Sequence, residues 1–97
     1  MKPTKLTDAE VREHLKRQPD WALSGGQIER TFVFKDFVAS MAFVQKIAEY
    51  AERVQHHPNI LIRWNKVTLS VNTHDCGGIS IKDFDLAAAV NGFGEGV

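Results

Sequence analysis

The sequence is poor in several features that mark particular classes of protein. Its 97 residues include one cysteine, Cys76, so no internal disulfide can form and nothing indicates an oxidising compartment. Lys and Arg number 12 and Asp and Glu also number 12, and this balance disfavours electrostatic binding to nucleic acid or an anionic membrane. No stretch without Asp, Glu, Lys or Arg exceeds nine residues, and the first ten lack the apolar run of a secretory signal. We expect a small soluble, cytoplasmic protein.

Apolar periodicity and turn residues divide the chain into seven elements within a single domain, residues 1–97. Two hairpins separated by helices predict an α+β fold in the order αββαββα, with a four-stranded antiparallel sheet and three helices packed on one face. The predicted elements are a helix from the Thr7 cap to about Gln18, strands over Trp21 to Leu23 and Gln27 to Phe34, a helix from the Asp36 cap to about Val54, strands over Asn59 to Trp64 and Val67 to Thr73 with a turn at Asn65-Lys66, and a helix from Ser80 to about Asn91.

The long central helix carries apolar residues on more than one face. A helix that is apolar over so much of its circumference buries a second side, and in so short a chain another subunit is the expected partner. We therefore predict a homo-oligomer, a dimer or a tetramer. The two apolar stripes are Phe37, Met41, Val44, Ala48 and Ala51, and Phe43, Ile47, Tyr50 and Val54.

Three histidines and two carboxylates are predicted to gather at one end of the sheet. His56 and His57 follow the central helix, and His74 ends the fourth predicted strand. Glu52 precedes His56 at the i, i+4 spacing that puts both on one helix face, and Asp83 opens the last helix. Imidazole is the side chain best suited to exchanging protons near pH 7. Taken alone, a His pair at a helix end also fits a purely structural role, because the helix dipole favours it.

Other chemistries have weaker support in the pattern. Adjacent histidines point in different directions and the usual zinc spacings are absent, so no metal site is predicted. Cys76 lies two residues from His74, but we interpret it as a packed loop thiol rather than a nucleophile. Gly77-Gly78 lacks the pattern of a phosphate-binding loop. His14, on the first helix, is expected to be a solvated surface residue.

The array Glu52-x3-His56-His57-Pro58-x5-Trp64-x9-His74-x8-Asp83 resembles the signature of the pterin-4a-carbinolamine dehydratases. The resemblance extends from about Trp21 to Val90. Flanking segments share it: Phe34-Lys35-Asp36-Phe37, Trp64-Asn65-Lys66-Val67 and Thr73-His74-Asp75-Cys76.

The resemblance implies the αββαββα fold and the dehydration of 4a-hydroxytetrahydropterins to quinonoid dihydropterins. These substrates are released by aromatic amino acid hydroxylases, so tetrahydrobiopterin recycling is implied as well. The reaction needs neither a metal nor an organic cofactor, since proton transfer suffices. By resemblance, His56 and His74 are catalytic residues that act as general acids or bases, and His57 is a catalytic residue that mainly holds the pterin. The resemblance also implies substrate-binding residues: Glu52, Pro58 and Asp83. Asp83 is in addition expected to support His74.

Two positions depart from the pattern of the animal members, and two other functions stay open. Gln55 stands where Asp is frequent, and Ile60 where Trp is frequent. One alternative is a non-catalytic oligomeric binding module, like the animal relatives that serve as dimerisation cofactors of a homeodomain transcription factor. Another is an accessory protein of molybdopterin metabolism. Clustered imidazoles favour the catalytic interpretation, and zero net charge disfavours direct contact with DNA.

Overall fold

Local capping signals start the helices in the computed structural model, which describes residues 3–95. Helix α1 spans Asp8–Arg17 and begins with the predicted capping box: the Thr7 side chain accepts from the Glu10 amide, and Glu10 Oε1 accepts from the Thr7 amide at 2.9 Å. Helix α2 spans Phe37–Val54, and the Asp36 carboxylate accepts from the Ala39 amide at 2.8 Å. Helix α3 spans Ile81–Glu95. Within the described residues, no helix has the length and apolarity needed to cross a membrane.

Four antiparallel strands form one sheet in the spatial order β1-β2-β4-β3. The strands are β1 (Ala22–Ser24), β2 (Gln27–Val33), β3 (Asn59–Arg63) and β4 (Lys66–Val71). Each hairpin pairs its own two strands, and β2 joins the hairpins by pairing with β4 from Ile28↔Val71 to Val33↔Lys66. The α+β fold and the element order αββαββα are therefore confirmed.

The core lies between one face of the sheet and the helices. Ile28 and Leu69 point inward from β2 and β4, and Phe43 and Ile47 point inward from α2; all four are fully buried. Alternate strand residues face the other way, and there Thr31 and Thr68 join exposed hydroxyls at 2.8 Å across the strands. One face of the sheet is thus mainly apolar and covered, and the other is mainly polar, although Val33 and Leu61 are exposed on it.

Several strand ends differ from the predictions by one residue, and three predicted boundaries were wrong in ways that affect the site or the packing. The second hairpin turns at Trp64-Asn65, not Asn65-Lys66, with Trp64 in the left-handed region at φ 54°. Strand β4 ends at Val71, so His74 lies in a short 3₁₀ turn over His74–Cys76. Helix α3 continues four residues past Asn91 although it contains two glycines, because Phe93 packs on Tyr50 and Gly94 lies against Phe32. Tertiary packing here outweighs intrinsic helix propensity.

The two apolar stripes of α2 are not separated as the periodicity predicts. Ala51 of the first stripe is buried, whereas Val54 of the second is 40% exposed. An apolar outer face nevertheless exists on the first two turns, where Phe37, Val38 and Met41 are 50%, 76% and 41% exposed. We call these three residues the α2 outer patch.

Candidate active site

Three histidines line one cleft because α2, β3 and β4 all have an end there. Helix α2 stops at Val54, and Gln55 takes the left-handed conformation, with φ 54° and ψ 48°. The chain then presents His56 and His57 before β3 begins at Asn59. After β4, the 3₁₀ turn presents His74 opposite them. The cleft that they line has a volume of about 300 Å³.

His56 is held by a buried carboxylate. Its Nε2 lies 2.6 Å from Asp83 Oδ1. The His56 side chain is only 12% exposed and that of Asp83 is 0% exposed, so water has little access to this contact. The other carboxylate oxygen, Oδ2, accepts from the Ser80 amide and from the Thr73 hydroxyl, both at 2.9 Å. These bonds hold Asp83, and through it the imidazole of His56, in one orientation.

The other two histidines are open to solvent. His57 Nε2 lies 2.6 Å from Glu52 Oε2, and the two side chains are 53% and 73% exposed. An exposed pair of this kind contributes about 0–1 kcal/mol to stability. His74 is exposed and, among residues 3–95, its side chain has no hydrogen-bond partner. The cleft thus combines one largely buried imidazole, held by a buried carboxylate, with two more accessible ones.

The carboxylates pair differently from the sequence-based expectation. The i, i+4 spacing predicts that Glu52 shares a face with His56, yet Glu52 contacts His57. The family resemblance implies that Asp83 supports His74, yet Asp83 contacts His56. The left-handed Gln55 is the reason for the first difference, since the i, i+4 rule holds only while the helix continues.

The remaining predicted residues lie at various distances from the cleft. Pro58 is half-buried between His57 and β3 and is not among the residues that line the cleft. Trp64 is 70% exposed at the opposite end of β3. Cys76 is a half-buried loop thiol packed as expected, and its single S–H is shared between the carbonyls of Thr73 and Gly78.

His14 is not the solvated residue that we expected. It is half-buried, and its ring stacks on Phe84 with a centroid separation of 4.8 Å. It therefore serves the packing of α1 on α3 and takes no part in the cleft.

Sequence reasoning missed several polar residues of the site. Asn59, Asn72 and Lys82 line the cleft, and no motif marks them. Thr73 and Ser80 lie behind His56 and contact Asp83. The Ser80-x-x-Asp83 capping signal was present in the sequence, but a cap uses only one carboxylate oxygen, and nothing local indicates what the other one binds. Among residues 3–95, no three His, Cys, Asp or Glu side chains are arranged to hold a metal ion.

Sequence comparison identifies the family to which this site belongs. The profile of the family described as pterin 4 alpha carbinolamine dehydratase matches residues 4–93. The chain belongs to this family. A protein of Acidobacterium capsulatum, provisionally named a pterin-4-alpha-carbinolamine dehydratase, is 52% identical over 85 residues, which cover 88% of this chain and 92% of the relative. A protein of Chloroflexus aurantiacus with the same provisional name is 48% identical over 87 residues, covering 90% and 94%.

The names of two solved structures of similar fold mention different functions. A transcriptional coactivator/pterin dehydratase from Brucella melitensis superposes with a TM-score of 0.89 at 32% identity, covering 94% of this chain and 99% of the other. A pterin dehydratase-like protein described as a RuBisCO assembly factor of the α-carboxysome gives a TM-score of 0.64 at 20% identity, covering 76% and 86%. The second similarity shows a shared fold alone, so the function has to be argued from the site.

Proposed function

We propose that this protein is a hydro-lyase, a 4a-hydroxytetrahydrobiopterin dehydratase, that removes water from 4a-hydroxytetrahydropterin by histidine acid–base catalysis. The observation that carries the proposal is the cleft with three imidazoles, two of which lie 2.6 Å from a carboxylate. A binding module alone does not require this grouping, whereas proton transfer does. Family membership supports the same reaction class.

The reaction requires two proton transfers. An acid protonates the hydroxyl group at C4a, which then leaves as water. A base removes the proton from N5, and the electron pair of that N–H bond forms the C4a=N5 double bond of the quinonoid dihydropterin. Both transfers are within the capacity of imidazoles near neutral pH, and each contributes roughly 10²–10⁴-fold to the rate.

We assign His56 and His74 to these transfers. With Nε2 on Asp83, His56 has Nδ1 left to exchange a proton with a ligand in the cleft. His74 has no competing side-chain hydrogen bond among the described residues and is open to solvent, which lets it return its proton to water between turnovers. His57, with Glu52 behind it, is assigned to hold the pterin ring.

The size and polarity of the cleft suit a pterin. Its volume of about 300 Å³ is at the lower end of the range for small-molecule sites, as a two-ring ligand requires. Asn59 and Asn72 supply amide groups that can pair with the polar edge of the ring. Such a substrate is produced by aromatic amino acid hydroxylases, and we propose that the enzyme serves tetrahydrobiopterin recycling.

Turnover of chemically prepared 4a-hydroxytetrahydropterin, followed by the absorbance of the quinonoid product, tests the proposal. We expect acceleration over the spontaneous reaction, undiminished by a chelator. Loss of activity with the chelator and its return with zinc would contradict metal-free catalysis. Absence of any acceleration by the folded protein would contradict the proposed function itself.

Binding to another protein is the second candidate function. The α2 outer patch leaves three large apolar side chains at least 41% exposed on one helix, and the similar Brucella protein is named a coactivator as well as a dehydratase. We propose that a second copy of this chain covers the patch, because a symmetric helix contact is the simplest closed arrangement of a self-complementary surface. The histidine cleft, at the other end of α2, stays open in such a homo-oligomer.

A further inference from the structure

Behind His56 lies a continuous series of buried hydrogen bonds that the reaction does not itself require. Ser80 and Asp83 are fully buried, and Thr73 is 3% exposed. The Thr73 hydroxyl is 2.7 Å from the Ser80 hydroxyl and 2.9 Å from Asp83 Oδ2. The Ser80 hydroxyl also accepts from the Lys82 amide at 3.2 Å, in the first turn of α3. We call Thr73, Ser80 and Asp83 the Asp83 relay.

Counting protons gives every bond in the Asp83 relay a direction. A carboxylate only accepts, so the single hydroxyl proton of Thr73 is donated to Asp83 Oδ2. Thr73 must then accept from Ser80, whose own single proton is used in that bond. Because the Lys82 amide can only donate, Ser80 accepts from it. The series therefore runs from the start of α3 through two hydroxyls to the carboxylate, without a bond that could reverse.

The same count determines the tautomer of His56. Asp83 Oδ2 accepts two hydrogen bonds that fix the orientation of the carboxylate, and Oδ1, which can only accept, takes the Nε2 proton of His56. Neutral imidazole carries one N–H, which leaves Nδ1 with a lone pair. Within residues 3–95, no protein group bonds to Nδ1, so this nitrogen is the one that a ligand in the cleft can meet.

We propose that Thr73 is a positioning residue that sets the tautomer of His56 through Asp83. This inference rests on the proposed role of His56 as a proton-transfer group, but the tautomer itself can be measured without turnover. Thr73 is among the residues that line the cleft, but its hydroxyl is occupied by Ser80 and Asp83 and acts on His56 through the carboxylate. Its hydroxyl fixes the orientation of the Asp83 carboxylate, which keeps Oδ1 on the Nε2 proton of His56 and leaves Nδ1 unprotonated and available.

The test replaces Thr73 with Val, which keeps the branched shape and removes the donor. We expect the ¹⁵N resonances of His56, recorded with the ring neutral, to change from a single Nε2–H tautomer to a mixture. We expect kcat to fall about tenfold, at the lower end of the effect of groups that orient metal-bound histidines, with KM changed less than about twofold. Thr73→Ser retains the hydroxyl and should restore both the tautomer and kcat.

Thr31→Val is the matched control, because Thr31 also shares a 2.8 Å hydroxyl bond with a neighbour, but on the exposed face of the sheet. It should leave the His56 spectrum and kcat unchanged. Ser80→Ala removes the donor to Thr73 but leaves the bond from Thr73 to Asp83. We expect a smaller change of the same kind, and this variant decides the question if Thr73→Val does not fold.

The outcomes separate this inference from the proposed function. The positioning role is overturned if Thr73→Val keeps a pure Nε2–H tautomer and an unchanged pH–rate profile, even if the wild type is an active dehydratase. If only Ser80→Ala folds, the same two results in that variant overturn it. If the wild type has no dehydratase activity but Thr73→Val still shifts the tautomer of His56, the positioning role is supported and the proposed function is overturned. A kcat loss that Thr73→Ser fails to restore also overturns the positioning role, since packing alone would then explain it.

Discussion

Replacing Asp83 with Asn probes the site directly, because the two side chains have almost the same shape and differ in which terminal atoms accept hydrogen bonds. In the wild type both carboxylate oxygens accept: Oδ2 from Ser80 and Thr73, and Oδ1 from His56. Asparagine has one accepting oxygen and one donating NH₂ group. The substitution therefore changes the direction of one hydrogen bond while leaving the shape of the buried group intact.

The surroundings decide which way the new amide points. The Ser80 amide can only donate, so the asparagine oxygen must take the place of Oδ2. The NH₂ group then faces His56, whose Nε2 has to become an acceptor. Every buried polar group still has a partner, but the imidazole now carries its proton on Nδ1. Asp83→Asn is thus expected to fold and to present His56 to the cleft in the wrong tautomer.

The two consequences differ greatly in size. Three hydrogen bonds lose the assistance of a negative charge, about 1 kcal/mol each. Removing a buried charge relieves its desolvation penalty and offsets part of this loss, which leaves about 1–2 kcal/mol in the free energy of unfolding. A general acid or base in the wrong protonation state forfeits roughly 10²–10⁴-fold in rate. We expect kcat for 4a-hydroxytetrahydropterin to fall by at least about 10²-fold, while urea unfolding shows a modest shift.

The assay combines stopped-flow turnover, urea unfolding and the ¹⁵N spectrum of His56. A folded Asp83→Asn protein that keeps wild-type kcat would refute the reasoning, because the tautomer of His56 would then be irrelevant to catalysis. A loss of activity with Nε2 still protonated would refute the assigned hydrogen-bond directions. Glu52→Gln makes the same chemical change at the exposed His57 contact and serves as the matched comparison.

Three further predictions concern the accessible histidines and the α2 outer patch. His74→Ala should lower kcat about 10²-fold or more with less than about 1 kcal/mol lost in urea unfolding, because His74 is exposed; unfolding of the variant with activity per folded molecule intact would show a structural role instead. Glu52→Gln should change the free energy of unfolding by less than about 1 kcal/mol and raise KM more than it lowers kcat; a kcat loss as large as that of Asp83→Asn would contradict the assignment. Met41→Glu should reduce the mass measured by light scattering to that of the 10.9 kDa chain and spare turnover, with Thr31→Glu as an exposed control; a wild type that is already monomeric would contradict self-association.

Much of the fold is predictable because its signals are local. The capping box at Thr7 and the Asp36 cap each involve residues three apart, and both form as expected. The hairpins follow from alternating apolar residues between turns. The end of α3 is not predictable in this way. Gly92 and Gly94 have low helix propensity, yet the helix continues to Glu95 because Phe93 packs on Tyr50. Such contacts join residues far apart in the chain.

The candidate site, too, is predictable in part. The order of elements and the closeness of hairpin ends bring the three histidines to one cleft, as expected. The hydrogen bonds among them depend on backbone directions after an element has ended, which periodicity does not describe. Thr73 and Asp83, ten residues apart, meet through the 3₁₀ turn over His74–Cys76. No spacing rule connects them, and so the sequence did not predict the Asp83 relay.

One backbone residue decides which histidine receives which carboxylate. Gln55 is left-handed, a conformation that costs a non-glycine residue about 1–2 kcal/mol, and it turns His56 away from Glu52 and towards Asp83. Gln55→Gly should keep this turn without strain and retain activity. Gln55→Val should lower both stability and kcat, because a β-branched residue resists the left-handed region more strongly. Equal kcat and equal urea midpoints for the two variants would mean that the pairing of His56 with Asp83 does not depend on the turn at Gln55, and that contacts within the buried Asp83 relay are sufficient to impose it.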